Sequence, residues 1–146
     1  MASVKDSVTL TQTPDEAWNH VSDLTRFDEW LTIHDGWRSA VPAPGELEKG
    51  LEVVSVVSVK GTRVRVQWVI DVFDPPRTVT LIGNGKGGVK IKLALKVRPE
   101  GSGSQVEFDV DMGGLPLMGP AGRVAAKMLR SDLDDSLRRF RELFDA

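Results

Sequence analysis

The chain has no cysteine and no tyrosine, and neither sign of charge dominates its 146 residues. Without cysteine it can form no disulfide and no thiolate metal site, which agrees with a cytoplasmic location. The net charge of −2 gives no general attraction to nucleic acid or to anionic membranes. No apolar run approaches the roughly 18 residues of a membrane span, and the first residues lack the apolar core of a signal peptide. We therefore predict a single cytoplasmic domain over residues 1–146 with no membrane span.

Histidine is scarce as well, since His20 and His34 are the only two. Neither has a Cys, an Asp or a second His at a spacing typical of metal ligands, so we predict no metal and no cofactor. Asp35 follows His34 directly, but adjacent residues of a strand face opposite sides of a sheet, so this pair does not predict an acid–base dyad. His34 remains a candidate polar group of a ligand pocket.

Alternation of apolar and polar residues predicts about seven strands. They are expected near residues 3–11, 36–41, 51–59, 63–72, 78–82, 89–98 and 105–112. The clearest is the fourth, in which Val64, Val66, Trp68, Ile70 and Val72 share one face. Asp74-Pro75-Pro76 ends this strand, because proline cannot donate a hydrogen bond to a neighbouring strand.

The last two predicted strands form a hairpin with one charged face. Lys90, Lys92, Lys96 and Arg98 lie on one strand, and Glu107, Asp109 and Asp111 on the other. Registers that turn both sets outward bring Lys92 or Lys96 opposite an acid, which contributes roughly 0.2–1 kcal/mol a pair. The basic stripe, joined by Arg63 and Arg65, therefore indicates a solvated, charge-paired sheet face rather than a nucleic-acid surface.

Three helices are predicted. Thr13 is a suitable N-cap before Pro14, and Asp23 is a suitable cap for a second short helix that contains Phe27 and Trp30. A long helix is expected from about residue 118 to residue 144, with Val124, Met128, Leu133, Leu137, Phe140 and Phe144 on its apolar stripe. At 1.5 Å per residue it would span about 40 Å, the width of a whole sheet.

The order of these elements predicts an α+β domain. A meander of strands favours antiparallel pairing, and the long C-terminal helix is the one element able to cover the apolar face. We expect a curved antiparallel sheet of about seven strands that wraps around this helix, with two short helices after the first strand and an apolar pocket between helix and sheet.

Three segments carry a resemblance to a known family. Residues 23–30 (DLTRFDEW), residues 101–108 (GSGSQVEF) and the leucine-rich terminal helix resemble the START-like (SRPBCC) superfamily, in its polyketide cyclase/dehydrase and lipid-transport branch. The likeness covers the whole chain, and small actinobacterial members are most similar. It implies a helix-grip fold with a pocket for a small hydrophobic molecule. Some of these members carry a toxin label, which implies a protein partner as an alternative.

Fourteen residues are the candidates for the pocket. They are Trp30, His34, Trp37, Val66, Trp68, Ile70, Ile91, Leu93, Phe108, Met112, Leu117, Met118, Val124 and Met128. The tryptophans could also be simple core fillers, because large aromatic residues dominate core energetics. Leu115, Leu117 and Met118 could form an adjustable gate between the last strand and the long helix.

A glycine-rich segment matches the letters of a dinucleotide-binding fingerprint. It runs Gly83-Asn-Gly85-Lys-Gly-Gly88, but a strand follows it instead of the helix whose N-terminus would bind the pyrophosphate. The segment is therefore interpreted as a turn between strands.

Three functions stay open at this point. The first is binding of a hydrophobic molecule such as a lipid or polyketide, as a carrier, sensor or scavenger. The second is a cyclase/aromatase-like or hydrolytic enzyme, for which His34, Asp6 and Arg65 are the candidate acid–base groups. The third is a protein-interaction role, including the toxin of a toxin–antitoxin pair.

Overall fold

The computed structural model describes residues 2–42, 46–59, 62–85, 87–114 and 120–144. Strand β1 (Ala2–Leu10) is followed by helix α1 (Pro14–Val21), a 3₁₀ turn (Leu24–Arg26) and helix α2 (Phe27–Trp30). Six strands come next: β2 (His34–Trp37), β3 (Glu52–Val59), β4 (Thr62–Asp74), β5 (Thr78–Gly85), β6 (Val89–Glu100) and β7 (Gly103–Gly113). Helix α3 (Pro120–Phe144) ends the described chain.

The strands form one antiparallel sheet in the order β1-β7-β6-β5-β4-β3-β2. Each strand from β2 to β7 pairs with its neighbour in sequence, and β1 pairs with β7. The sheet curls into a half-barrel, and α3 packs on it. The predicted α+β helix-grip architecture is therefore confirmed.

Helix α1 begins at its predicted cap, whereas Asp23 caps the 3₁₀ turn before α2 and not α2 itself, whose N-cap residue is Arg26. Thr13 and Glu16 form a capping box, in which the Glu16 amide donates to Thr13 Oγ1 at 3.3 Å and the Thr13 amide donates to Glu16 Oε1 at 3.2 Å. The Asp23 carboxylate accepts from the Thr25 amide at 3.1 Å and starts the turn that leads into α2. Side-chain caps satisfy backbone donors that have no partner within the helix itself.

The β6–β7 hairpin has the predicted charge pairing. Lys92 lies opposite Asp111, and Lys96 lies opposite Glu107. The Lys96 ammonium is 3.2 Å from Asp109 Oδ2 and 3.6 Å from Glu107 Oε2. These cross-strand pairs fix the outer face of the hairpin, so its apolar residues point to the core.

The apolar stripe predicted for α3 is correct in its second half and wrong in its first. Val124 and Met128 are 48% and 43% exposed, whereas Leu129 is buried. The reason is helical geometry: Met128 and Leu133 are five residues apart, which turns the side chains about 140° away from each other. The buried stripe consists of Leu129, Leu133, Leu137, Phe140 and Phe144.

Two predicted strands also need correction. Strand β2 covers His34–Trp37 instead of 36–41, and it contains a register shift between His34 and Gly36. A second register shift, between Ile70 and Val72 in β4, turns Val72 outward, so that it is 41% exposed. An extra residue reverses the side-chain alternation on which the sequence pattern depends. Residues 60–61, between the third and fourth predicted strands, lie outside the described residues.

Candidate functional site

A small cavity lies between α2 and the β2–β6 part of the sheet. Its walls consist of Phe27, Leu31, Ile33, His34, Trp37, Ser55, Val57, Trp68, Leu81 and Leu93. Its volume, measured as space open to the centre of a water molecule, is about 10 Å³. That is room for about one water, so the cavity is almost filled by its own side chains.

Aromatic rings form one continuous wall of this cavity. The ring centres of His34 and Trp37 are 4.6 Å apart, and those of Phe27 and Trp37 are 5.9 Å apart. The Trp37 Nε1–H donates to the Leu24 carbonyl at 3.0 Å, which holds the indole in place. The wall therefore presents ring faces and edges, surfaces that suit flat ligands.

Only two of the ten lining residues, Ser55 and His34, are polar apart from the tryptophan indoles. Ser55 is 1% exposed, and its hydroxyl oxygen accepts a hydrogen bond from Trp68 Nε1 at 2.7 Å. The His34 side chain is 3% exposed. Polar groups in such apolar cavities orient a ligand and contribute to specificity.

Burial and a neighbouring acid have opposite effects on the pKa of His34. Its Nε2 is 2.7 Å from Asp28 Oδ1, a carboxylate on α2 whose side chain is 61% exposed. A carboxylate can only accept a hydrogen bond, so the Nε2 atom beside it carries a ring hydrogen. Burial lowers the pKa of His34 below its ordinary value, while Asp28 and then Asp35 oppose this shift. The ring is therefore neutral near pH 7.

We expect this burial to make stability depend on pH. A histidine whose pKa is lowered by folding stabilises the protein above its ordinary pKa of about 6.5, and this contribution is lost as the pH falls toward the folded-state pKa. The free energy of unfolding should therefore decrease between about pH 7 and pH 5. Urea unfolding at several pH values measures this decrease, which should be smaller in His34→Gln.

His20 supplies the comparison for this experiment. Its pKa is also lowered, by burial and then by Arg26, and it stacks on Phe144 with ring centres 4.2 Å apart. His20→Gln should remove a separate part of the pH dependence. If His34→Gln leaves the wild-type slope unchanged, His34 is not buried as a neutral ring.

The structure brings together four of the fourteen predicted site residues. His34, Trp37, Trp68 and Leu93 line the cavity. A second group is buried in the core outside the cavity wall: Trp30, Val66, Ile70, Ile91, Phe108 and Met112. The exposed Val124 and Met128 lie on the outer side of α3, and Leu117 and Met118 lie outside the described residues, as does the gate proposed with Leu115.

Six lining residues were missed by the sequence reasoning: Phe27, Leu31, Ile33, Ser55, Val57 and Leu81. Phe27 lies on α2, and Leu31 and Ile33 lie between α2 and β2. In this part of the sequence no clear alternation shows which side chains face inward. Ser55 and Val57 had a usable signal, because they share the inward face of β3 with the buried Val53.

The other candidate acid–base groups lie away from His34. Arg65 is exposed and pairs with Val56 in the sheet, and Asp6 lies on edge strand β1 and accepts from the Ser7 amide. Neither lines the cavity. Among the described residues, no group of three or more His, Asp or Glu side chains could hold a metal ion. No helix of the described segments is long and apolar enough to cross a membrane.

Comparison with known proteins identifies the family. The sequence profile of the polyketide cyclase / dehydrase and lipid transport family matches residues 1–145. The chain belongs to this family. The resemblance noted for residues 23–30 and 101–108 is thereby confirmed over the whole length of the match.

Relatives and solved structures agree with this assignment. Toxin Rv0910 of Mycobacterium tuberculosis is 49% identical over 144 residues, with 99% of each chain covered. Rv1546 of the same organism, named an uncharacterized protein, is 42% identical with the same coverage. A START superfamily protein from Mycobacterium smegmatis superposes with a TM-score of 0.74 over 98% of this chain and 99% of that one, at 16% identity. At that identity, the structural likeness speaks for the fold alone.

Proposed function

We propose that this family member binds a small hydrophobic molecule in the cavity between α2 and the sheet, as a carrier, sensor or scavenger. The observation that supports this most is the make-up of the cavity wall: eight apolar or aromatic residues surround two buried polar ones, His34 and Ser55. Such a combination provides affinity through apolar burial and orientation through few hydrogen bonds. Membership of the polyketide cyclase / dehydrase and lipid transport family agrees with this function.

A ligand larger than a water molecule requires the cavity to open. The wall formed by α2 and β2 is the part most suited to move, because both elements are four residues long and β2 is the edge strand next to β3 in the described sheet. Short edge elements have fewer stabilising contacts than central strands and open at lower free-energy cost. Binding should therefore enlarge the cavity by displacing Phe27 and Leu31.

Native mass spectrometry of protein purified from its own host tests the function directly. A stoichiometric hydrophobic adduct would support it and give the chemical class of the ligand. Tryptophan fluorescence then reports the site, because Trp37 and Trp68 line the cavity while Trp18 packs against Phe73 elsewhere. The signal change on adding the extracted ligand should persist in Trp18→Phe and decrease in Trp68→Phe.

Two leucine truncations separate binding from stability. Leu93 lines the cavity, and Leu133 is buried on α3 outside it; they are 3% and 2% exposed. Each Leu→Ala change should lower the free energy of unfolding by about 2–5 kcal/mol. Leu93→Ala alone should weaken ligand binding, by about tenfold, because it removes apolar contact with the ligand. Equal affinities of the two variants would place the ligand elsewhere.

A clean apo mass, with no stabilisation by lipids or polyketides, would contradict ligand binding. The search would then move to a protein partner, the alternative that the toxin name of one relative suggests. The place to look is the exposed pair Val124 and Met128 on α3, next to the cations Arg123, Lys127 and Arg130. Exposed apolar residues beside charges of one sign are typical of interaction surfaces.

A further inference from the structure

We propose that the cavity selects a neutral, flat, ring-containing molecule with a hydroxyl or carbonyl oxygen, and rejects the matching carboxylate. This selection rests on the proposed function, since it names the ligand class for the same cavity. Three properties of the wall favour such a ligand: unused hydrogen-bonding capacity, the absence of a cation among its described residues, and the arrangement of its rings.

The cavity has one hydrogen-bond donor that is free for a ligand. The Ser55 oxygen accepts from Trp68 Nε1, which leaves the hydroxyl hydrogen of Ser55 free to donate. His34 Nε2, by contrast, already contacts the Asp28 carboxylate at 2.7 Å. A buried donor without a partner costs free energy, so a ligand oxygen that engages Ser55 is favoured. A hydroxyl or carbonyl oxygen can accept this hydrogen bond.

The charge around the cavity disfavours an anion. None of the ten described lining residues is Lys or Arg. The charged groups that act on His34 are the carboxylates Asp28 and Asp35, and Asp35 is already paired with Arg63. A carboxylate ligand would lose its hydration and gain no cation in exchange. A hydroxyl or carbonyl group has a much smaller desolvation cost, and Ser55 compensates for it.

The rings favour a flat and rigid ligand. Trp37 and Trp68 both line the cavity, and each indole N–H is held by a hydrogen bond, to the Leu24 carbonyl and to Ser55 respectively. Aromatic ligands gain contact with such rings in stacked or edge-on geometry. A flexible acyl chain would lose more conformational entropy in so narrow a cavity than a fused ring system does.

Matched probes test this selection on the folded protein. We would titrate 2-naphthol, 2-naphthoate and 2-methylnaphthalene by calorimetry near neutral pH, and repeat with the one-ring series 4-ethylphenol, 4-ethylbenzoate and 4-ethyltoluene. In at least one series, the hydroxyl compound should bind about tenfold more tightly than the carboxylate and than the hydrocarbon. Ser55→Ala should remove the advantage over the hydrocarbon. Ser58→Ala, the same change on the opposite face of β3, should keep it.

Each outcome decides one point. Carboxylates that bind as tightly as the hydroxyl compounds would overturn the selection while leaving the binding function in place. Hydrocarbons that bind as tightly would remove the role of Ser55. If no probe binds and native mass spectrometry finds no adduct, the binding function fails and the selection fails with it. Because the probes are compared on the wild-type chain, a poorly folding Ser55→Ala variant does not prevent the decision; Ser55→Thr, which keeps a hydroxyl, should then retain the preference.

Discussion

Replacing Trp30 by alanine should lower the free energy of unfolding by about 3–5 kcal/mol, a large share of the 5–15 kcal/mol typical of a domain. Trp30 is 1% exposed, and its ring centre is 5.0 Å from that of Phe140 and 5.9 Å from that of Phe108. It thereby joins α2 to α3 and to β7. Removing the indole leaves a void at the meeting point of three elements, none of which can close it alone.

Trp30→Phe should cost less than half as much as Trp30→Ala. Phenylalanine keeps most of the ring contact, and it removes an indole N–H that has no hydrogen-bond partner among the described residues. Val72→Ala, at an exposed position, should stay within about 0.5 kcal/mol of wild type. Urea unfolding measures all three. A small loss of stability in Trp30→Ala, accompanied by weaker ligand binding, would instead make Trp30 part of the ligand site.

The fold could be predicted because its main signals are local. Alternation identifies a strand, capping residues such as Thr13 and Asp23 identify helix starts, and opposite charges on two neighbouring strands define a register. Each of these depends on residues that are close together in the sequence or in one hairpin. The predictions fail where the regular spacing is interrupted. A register shift in β4 turns Val72 outward, and a five-residue step in α3 leaves Met128 outside the buried stripe.

The cavity could be predicted only in part, because some inward-facing residues line it while others belong to the packed core. The alternation along the strands correctly predicts that Trp68 and Phe108 face the inner side of the sheet, and both are buried. It cannot tell that Phe108 meets Trp30 in the packed core, with ring centres 5.9 Å apart, while Trp68 faces the cavity. That difference depends on where α2 lies over the sheet, which is a tertiary property that no periodicity contains.

His34 shows the same limit for charged groups. The sequence places Asp35 beside it, but the acid that contacts its ring is Asp28, six residues earlier on α2. The α2-to-β2 connection folds back so that Leu31 and Ile33 enter the cavity wall between these two residues. A contact of this kind depends on the path of a short irregular segment, so neither spacing nor alternation predicts it.

Gly83 connects the sequence pattern most directly with the cavity, and its replacement by alanine should lower the free energy of unfolding. A Cβ at position 83 would lie 2.6 Å from Val66 Cγ1 and 2.7 Å from ring atoms of Trp68. Both neighbours are buried, and the hydrogen bond to Ser55 holds the indole in place. The clash should therefore cost about 1–3 kcal/mol, as inserted methyl groups in packed cores do. Urea unfolding measures this cost.

The same substitution should also weaken ligand binding, because a displaced Trp68 ring would change the cavity wall and disturb its hydrogen bond to Ser55. Asn84→Ala, at the exposed next position, should leave both stability and binding unchanged. In a Trp68→Leu background, Gly83→Ala should cost less than in wild type, since the clashing ring is absent; this difference is the coupling energy of the pair. Equal costs in the two backgrounds would show that the ring does not restrict position 83. The first glycine of the glycine-rich segment is thus a strand residue that makes room for Trp68, so a wall of the cavity depends on it.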